Sequence, residues 1–343
     1  MDVIIWTVRA VWTIRTCFLL ASAAVLLLAT CTQPVLVSML HYGKTLSSCS
    51  PSLPPYTVPK AWFSHFYLVA TVWTSCLGIC LGLLHLSTTN TNGTFTNGTS
   101  TNGTSTIDSV VLPWHIWLVW LLVETQAVRR WIECMHWQTP CSTSRMHLLH
   151  YLVGIAFYIG MPVALLLEQS LTRASFISNK TISIYFHSPV DDSFFSQLVW
   201  TIMGVGMFAW ASVEQHRIHA HLALLRKKMD SDRFIGSIKT IKPTGSIKTI
   251  KSIKSIKPIG SIRYPLPCGS WFRFVACPHY LFEIIIYASF VILSGMKDGS
   301  AWTVLIWVTC DLAVSANLQW NWYKKIYPTL VTPSWKRLIP LIY

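Results

Sequence analysis

Hydrophobic positions along this chain run in long unbroken stretches rather than alternating or forming narrow stripes. Four stretches, Cys17–Leu40, Trp62–Leu86, Leu148–Leu167 and Phe194–Val213, contain no acid, lysine or arginine. Each reaches the roughly 20 residues that cross about 30 Å of hydrocarbon. Three more carry one acid each: Val110–Val128 with Glu124, His279–Gly295 with Glu283, and Ala301–Asn317 with Asp311. Helices apolar on every side face lipid and one another, because only closed backbone hydrogen bonding survives in hydrocarbon. The pattern predicts an all-α fold, a polytopic bundle of seven transmembrane helices. The first run is too long for a signal peptide and has no small-residue cleavage site before a polar start, so it is read as a span.

Composition agrees with the pattern. The 343 residues are 52% hydrophobic and only 12% charged, with a mean hydropathy of +0.46, which excludes most soluble enzymes and any disordered scaffold. The net charge of +14 would raise nucleic-acid binding in a soluble protein. Most of it sits in one segment, however: residues 226–263 hold eleven basic residues against Asp230 and Asp232. No nucleic-acid partner is expected. The ten cysteines form no closely spaced metal-binding pair, and several lie inside apolar runs, so neither a disulfide framework nor a metal site is expected.

Two low-complexity inserts orient the bundle. Residues 91–105 repeat Thr-Asn-Gly-Thr and place glycosylation sequons at Asn92, Asn97 and Asn102, with a fourth at Asn179. From Gly236 to Lys257 the chain repeats Ser-Ile-Lys and Thr-Ile-Lys units, and basic loops prefer the cytosol. With a lumenal N-terminus, seven spans put all four sequons in the lumen. The same count puts the lysine-rich insert, Arg129, Arg130, Lys324, Lys325, Lys336 and Arg337 in the cytosol with the C-terminus.

The chain accordingly divides into four parts. Residues 1–60 hold the first span and a cytosolic loop, and residues 61–225 hold spans two to five with the lumenal insert. Residues 226–262 form a basic cytosolic loop whose repeat opposes a helix, and residues 263–343 hold spans six and seven. The six insert lysines suit a solvated loop able to touch anionic lipid.

Ionisable groups at span edges are the places to seek chemistry, and four clusters fall on the cytosolic side. They are Trp62–Tyr67 with His65, a proton donor usable at neutral pH; Gln126, Arg129, Arg130 and Glu133; Glu214–Lys227; and Arg263–Glu283. In the second, Glu133 is spaced to pair with both arginines on a helix. In the third, His216, His219 and His221 lack the ligand set of a zinc site, whereas Arg226 offers a fork for phosphate. In the fourth, Pro267 and Gly269 make a turn, Pro278 opens a helix, and His279 and Glu283 stack one turn apart. Convergence on one side points to a single cytosol-facing site.

In the fourth cluster, Tyr264-x-x-Pro267-x-Gly269-x-x-Phe272 is followed by Cys277-Pro278-His279-Tyr280-x-x-Glu283. These residues, with Trp322-Tyr323-Lys324 and the ending Lys336-Arg337-Leu-Ile-Pro340-Leu-Ile-Tyr343, resemble the C-terminal domain of the steroid 5α-reductase family. Phe63-Ser-His65-Phe-Tyr67, Gln126-x-x-Arg129-Arg130-x-x-Glu133, Gln215-His216-x-x-His219 and Leu225-Arg226-Lys227 look like its polyprenol reductase branch. The likeness covers about residues 60–343. It implies a seven-helix enzyme of the endoplasmic reticulum membrane that takes NADPH from the cytosol and reduces a double bond conjugated to a carbonyl. The implied substrate is a long-chain polyprenyl aldehyde or alcohol on the way to dolichol, the lipid carrier of protein N-glycosylation. By position, Gln215, His219, Arg226, Tyr264, His279, Glu283 and Tyr323 would contact NADPH, and His65 would be the acid near the substrate carbonyl. Steroid reductases have a Tyr where this chain has Ala127, and their acid of the second span falls near Phe66, so the steroid-type acid pair is absent. Alternatives in view are reduction of another enone or enoyl lipid, a prenylcysteine methyltransferase, and an ion-coupled transporter.

Overall fold

Every predicted span falls at least in part on a helix in the computed structural model, which describes residues 2–31, 39–49, 56–93, 114–137, 144–177, 194–240, 266–332 and 335–343, and the first, Cys17–Leu40, is helical to Thr30. The helices are α1 (Asp2–Thr30), α2 (Lys44–Cys49), α3 (Phe63–Gly93), α4 (Trp114–His136), α5 (Leu148–Ile177), α6 (Phe194–Thr240), α7 (Pro278–Leu293) and α8 (Gly299–Ile326). Five of them contain stretches long and apolar enough to cross a membrane: Ile5–Thr30, Lys60–Ser87, Leu148–Glu168, Phe195–Lys228 and Gly299–Ile326. The other two of the expected seven differ for physical reasons. Helix α4 gathers Glu124, Arg129, Arg130 and Glu133, and α7 has 16 residues, short of the roughly 20 that a span needs.

Three expectations are corrected in detail. The first helix begins at Asp2, well before Cys17, and takes in Arg9 and Arg15. It can do so because Arg15 pairs with the Glu168 carboxylate of α5, and a paired charge is tolerated where a lone one is not. The segment expected as a loop from residue 226 is helical to Thr240, so it includes the start of the Ile/Lys repeat. Adding turns to an existing helix avoids the cost of nucleation, and Arg226-Lys-Lys-Met-Asp favours it. Finally, the fold is not wholly helical. Strands β1 (Thr57–Pro59) and β2 (Arg145–His147) pair antiparallel, with Val58 opposite Met146.

That small sheet organises one end of the bundle. It ties the entry of α3 to the entry of α5, while Tyr42 bridges Met146 and the Gly43 amide donates to the Arg145 carbonyl at 2.8 Å. Gly43 adopts φ of +56°, which favours glycine, and a Cβ there would meet the Lys60 ammonium at 3.0 Å. The segment carrying Lys44 is therefore fixed against α3 and α5. The chain's end is fixed likewise: Val275 bridges Lys336, and the Trp335 indole donates to the Phe272 carbonyl at 2.7 Å.

Helix α6 packs along α7, α1 along α8, and α3 along α4. The α6–α7 contact is close because Gly204 lies against the backbone of Leu293, where a Cβ would come within 2.9 Å. Phe282 and Ile286 of α7 are fully buried in the main core, with Ile116, Val304 and Leu165. At the opposite end from the sheet, Glu168 also accepts the Gly299 and Ser300 amides at 2.9 and 2.7 Å, capping α8.

Candidate active site

Polar side chains of α4, α6 and α7 meet in one buried cluster. On α4, Gln126, Arg129, Arg130 and Glu133 recur every three or four residues and so share a face. Glu133, only 2% exposed, is its centre. Its carboxylate accepts from Arg129 Nη1 at 2.6 Å, from Arg130 Nη1, and from the rings of His216 and His219 at 2.9 and 2.7 Å. His219 Nδ1 lies equally close to Arg130, which can only donate, so a proton on Nδ1 directed to Glu133 satisfies the carboxylate.

Gln215, 1% exposed, extends the network from α6 to α7. Its amide nitrogen donates to the Glu283 carboxylate and to the His279 carbonyl at 3.2 Å, while its oxygen accepts from Arg129 at 2.5 Å. Gln126 reaches the other Glu283 oxygen at 3.5 Å. The spacing of His279 and Glu283 thus brings both to Gln215. Among the described residues His279 Nδ1 and His221 Nε2 are buried without a hydrogen-bond partner, although the His279 and His219 rings lie 6.0 Å apart.

A second group of charges borders this cluster. Lys44 lies over the rings of Trp322 and Tyr323, at 4.2 and 3.8 Å from their centres, and Lys60 lies 5.1 Å from the ring centre of Tyr42. Arg226 of α6 is near enough to act electrostatically on Lys44, Lys60 and His279. Burial holds the Lys44 ammonium well below the usual lysine range, with the like charges of Lys60 and Arg226 adding to the effect. Burial also pushes the neighbouring Cys277 thiol up to about 12, against the pull of Lys44. Among the described residues neither Lys60 nor Arg226 pairs with a carboxylate.

Of the residues singled out in the sequence, Gln215, His219, His279 and Glu283 come together, with Arg226 and Tyr323 beside them. Tyr264 lies outside the described residues. His65 stands apart: its Nδ1 is 3.2 Å from the Tyr151 hydroxyl, and its ring packs on Trp62. Lys44, Lys60 and Tyr158 are not singled out in the sequence, and Tyr67 stands there only as part of the His65 motif. Those two tyrosines line an internal cavity of about 10 Å³, room for a single water, with Gln126, Ala127, Tyr287 and Phe290. A wider recess of about 570 Å³ opens on α4 beside Val128, Arg129, Ile132, Trp137 and His216.

A helical membrane protein with a buried polar site beside an apolar cavity agrees with the class that comparison supplies. Residues 243–343 match the family described as 3-oxo-5-alpha-steroid 4-dehydrogenase. Over most of its length the chain is similar to polyprenal reductases. It is 27% identical to Polyprenal reductase of Xenopus tropicalis, with 90% of this chain and 88% of that protein covered. It is also 27% identical to Polyprenal reductase 1 of Oryza sativa subsp. indica, over 81% and 77%, and 23% identical to Polyprenal reductase 2 of Arabidopsis thaliana, over 93% of each. The resemblance read from the motifs and these similarities point to the same family.

Proposed function

We propose that this chain is an NADPH-dependent polyprenal reductase of the endoplasmic reticulum membrane, with its N-terminus lumenal and its C-terminus cytosolic. It saturates the double bond next to the aldehyde of a long-chain polyprenal, in the route to dolichol and protein N-glycosylation. The observation that carries the reading is the junction at Gln126, which belongs both to the buried polar cluster and to the apolar cavity.

The residues fit a phosphate-bearing dinucleotide. Among the described residues Arg226 and Lys60 are half-buried cations without a carboxylate partner, the rings of Trp322 and Tyr323 stand edge to face beside Lys44, and His279 and His221 keep unused polar atoms. Arg226 and Lys44 would hold phosphate, with His279, Tyr323 and Tyr264 near the rest of the cofactor. Gln215, His219 and Glu283 would orient its nicotinamide end. The reduced nicotinamide supplies hydride when bound. The protein's own work is to orient the enal, exclude water and place a hydrogen-bond donor at the aldehyde oxygen, where negative charge develops. The family resemblance alone suggests His65 for that donor, and its ring stands outside the cluster, against Trp62 and Tyr151. A polyprenyl tail can remain in the bilayer while its head enters the bundle.

The test is reconstitution. Purified protein in vesicles should oxidise NADPH with a long-chain polyprenal and not with a steroid enone, an enoyl thioester or no lipid. In cells lacking the chain, unsaturated polyprenols should accumulate as dolichols fall. NADPH oxidation by a steroid or enoyl thioester alone would overturn the substrate assignment.

A further inference from the structure

The reaction proposed above needs an acid at the carbonyl, and the acid pair of the steroid enzymes is absent. The internal cavity is lined by Tyr67, Gln126, Ala127, Tyr158, Tyr287 and Phe290. Tyr67 is 4% exposed, and its oxygen accepts from Arg130 Nη2 at 3.0 Å. The Tyr67 hydroxyl also shares a hydrogen bond with that of Tyr158, so its proton, polarised by the guanidinium, becomes available to a substrate oxygen that takes the place of Tyr158. Arg130 cannot take that proton, and it is itself anchored on Glu133. Tyr158 packs edge-on to Tyr67 with ring centres 5.1 Å apart, and so helps fix the ring.

His65 is differently placed. Two residues along a helix turn by about 200°, so His65 and Tyr67 face opposite ways on α3. The His65 ring lies against Trp62 and Tyr151 and is not among the cavity's lining residues.

We infer that Tyr67, polarised by Arg130, is the catalytic residue that protonates the aldehyde oxygen of an α,β-unsaturated substrate whose head enters the bundle beside this water-sized cavity and widens it. The inference rests on the reductase reading. The substrate's β-carbon receives hydride from the reduced nicotinamide. The electron pair of the double bond then moves to join the α-carbon and carbonyl carbon, and the carbonyl pair moves to oxygen. That oxygen takes the Tyr67 proton, giving an enol and a tyrosinate held by Arg130. The α-carbon next takes a proton from water, and the enol proton returns to Tyr67. The net change is one hydride and one proton added across the double bond.

The experiment uses the full chain in lipid nanodiscs. Tyr67→Phe should lower single-turnover reduction by about 100-fold or more, whereas His65→Gln should lower it by less than about fivefold. Binding of NADPH and the thermal midpoint should be unchanged in both. With oxidised cofactor bound, geranial should show a red-shifted absorption that Tyr67→Phe removes and His65→Gln retains. Wild-type-like turnover in Tyr67→Phe would overturn the inference, as would loss of cofactor binding alongside activity or a collapse confined to His65→Gln. A wild-type protein that reduces no unsaturated aldehyde would instead overturn the reductase reading beneath it.

Discussion

Gln215 of α6 donates to the Glu283 carboxylate of α7, and the same amide nitrogen reaches the carbonyl of His279, one turn earlier on α7. These contacts join residues far apart in the chain. They make the packing of α6 on α7 a condition for the candidate site. That packing has its own requirement at Gly204, where the Leu293 backbone leaves no room for a side chain.

Gly204→Val should therefore disturb the site from a distance. Separating α6 from α7 should lower the thermal midpoint and weaken NADPH binding, although Gly204 touches no residue of the cluster. Overpacking of this kind typically costs about 1–3 kcal/mol. Melting and cofactor fluorescence titrations of the same sample check it, and an unchanged affinity would uncouple the helix contact from the site.

Glu133 neutralises two arginines inside the protein. Glu133→Leu should leave Arg129 and Arg130 uncompensated and cost about 3–5 kcal/mol of stability, the usual penalty for breaking a buried pair from one side. Glu133→Gln, which keeps an acceptor, should lose less. Denaturation midpoints of the two variants measure the difference, and equal losses would count against a charge-pairing role.

Lys44 gives a pH dependence with a definite sign. Its ammonium sits well below the usual lysine range in the free protein, chiefly through burial. A bound phosphate favours the charged form and raises that pKa toward about 10.4, the ordinary lysine value. Between the two values binding takes up a proton, so affinity should fall as pH rises through that window. Lys44→Met should bind NADPH more weakly and lose this dependence. Isothermal titration in buffers of different ionisation heat reads the proton uptake, and a pH slope unchanged in the variant would dissociate Lys44 from phosphate.

The basic insert should be dispensable for turnover. Because α6 is helical to Thr240, the deletion that respects the fold removes residues 241–258. It should retain catalysis and weaken salt-sensitive binding to anionic vesicles, at about 1 kcal/mol for each lysine near the surface. Complete loss of NADPH oxidation would place the insert in the catalytic machinery.

Much of the architecture was legible because the stretches that must sit in lipid are long and uncharged, and a backbone there has few ways to close its hydrogen bonds. The helices on Trp62–Leu86 and Leu148–Leu167 follow from this alone. Helix ends did not, since Arg15 enters α1 only through a partner 153 residues away. Within single helices, spacing was equally informative: it paired Arg129 and Arg130 with Glu133 and stacked His279 on Glu283. Tertiary structure decided what spacing cannot encode. It placed Gln215 against Glu283, carried Lys44 onto the rings of Trp322 and Tyr323 through the β1–β2 sheet, and turned Tyr67 rather than His65 toward the cavity. Hydrophobic periodicity is a property of one helix, whereas a site is the meeting of several, fixed by close approach at residues such as Gly204.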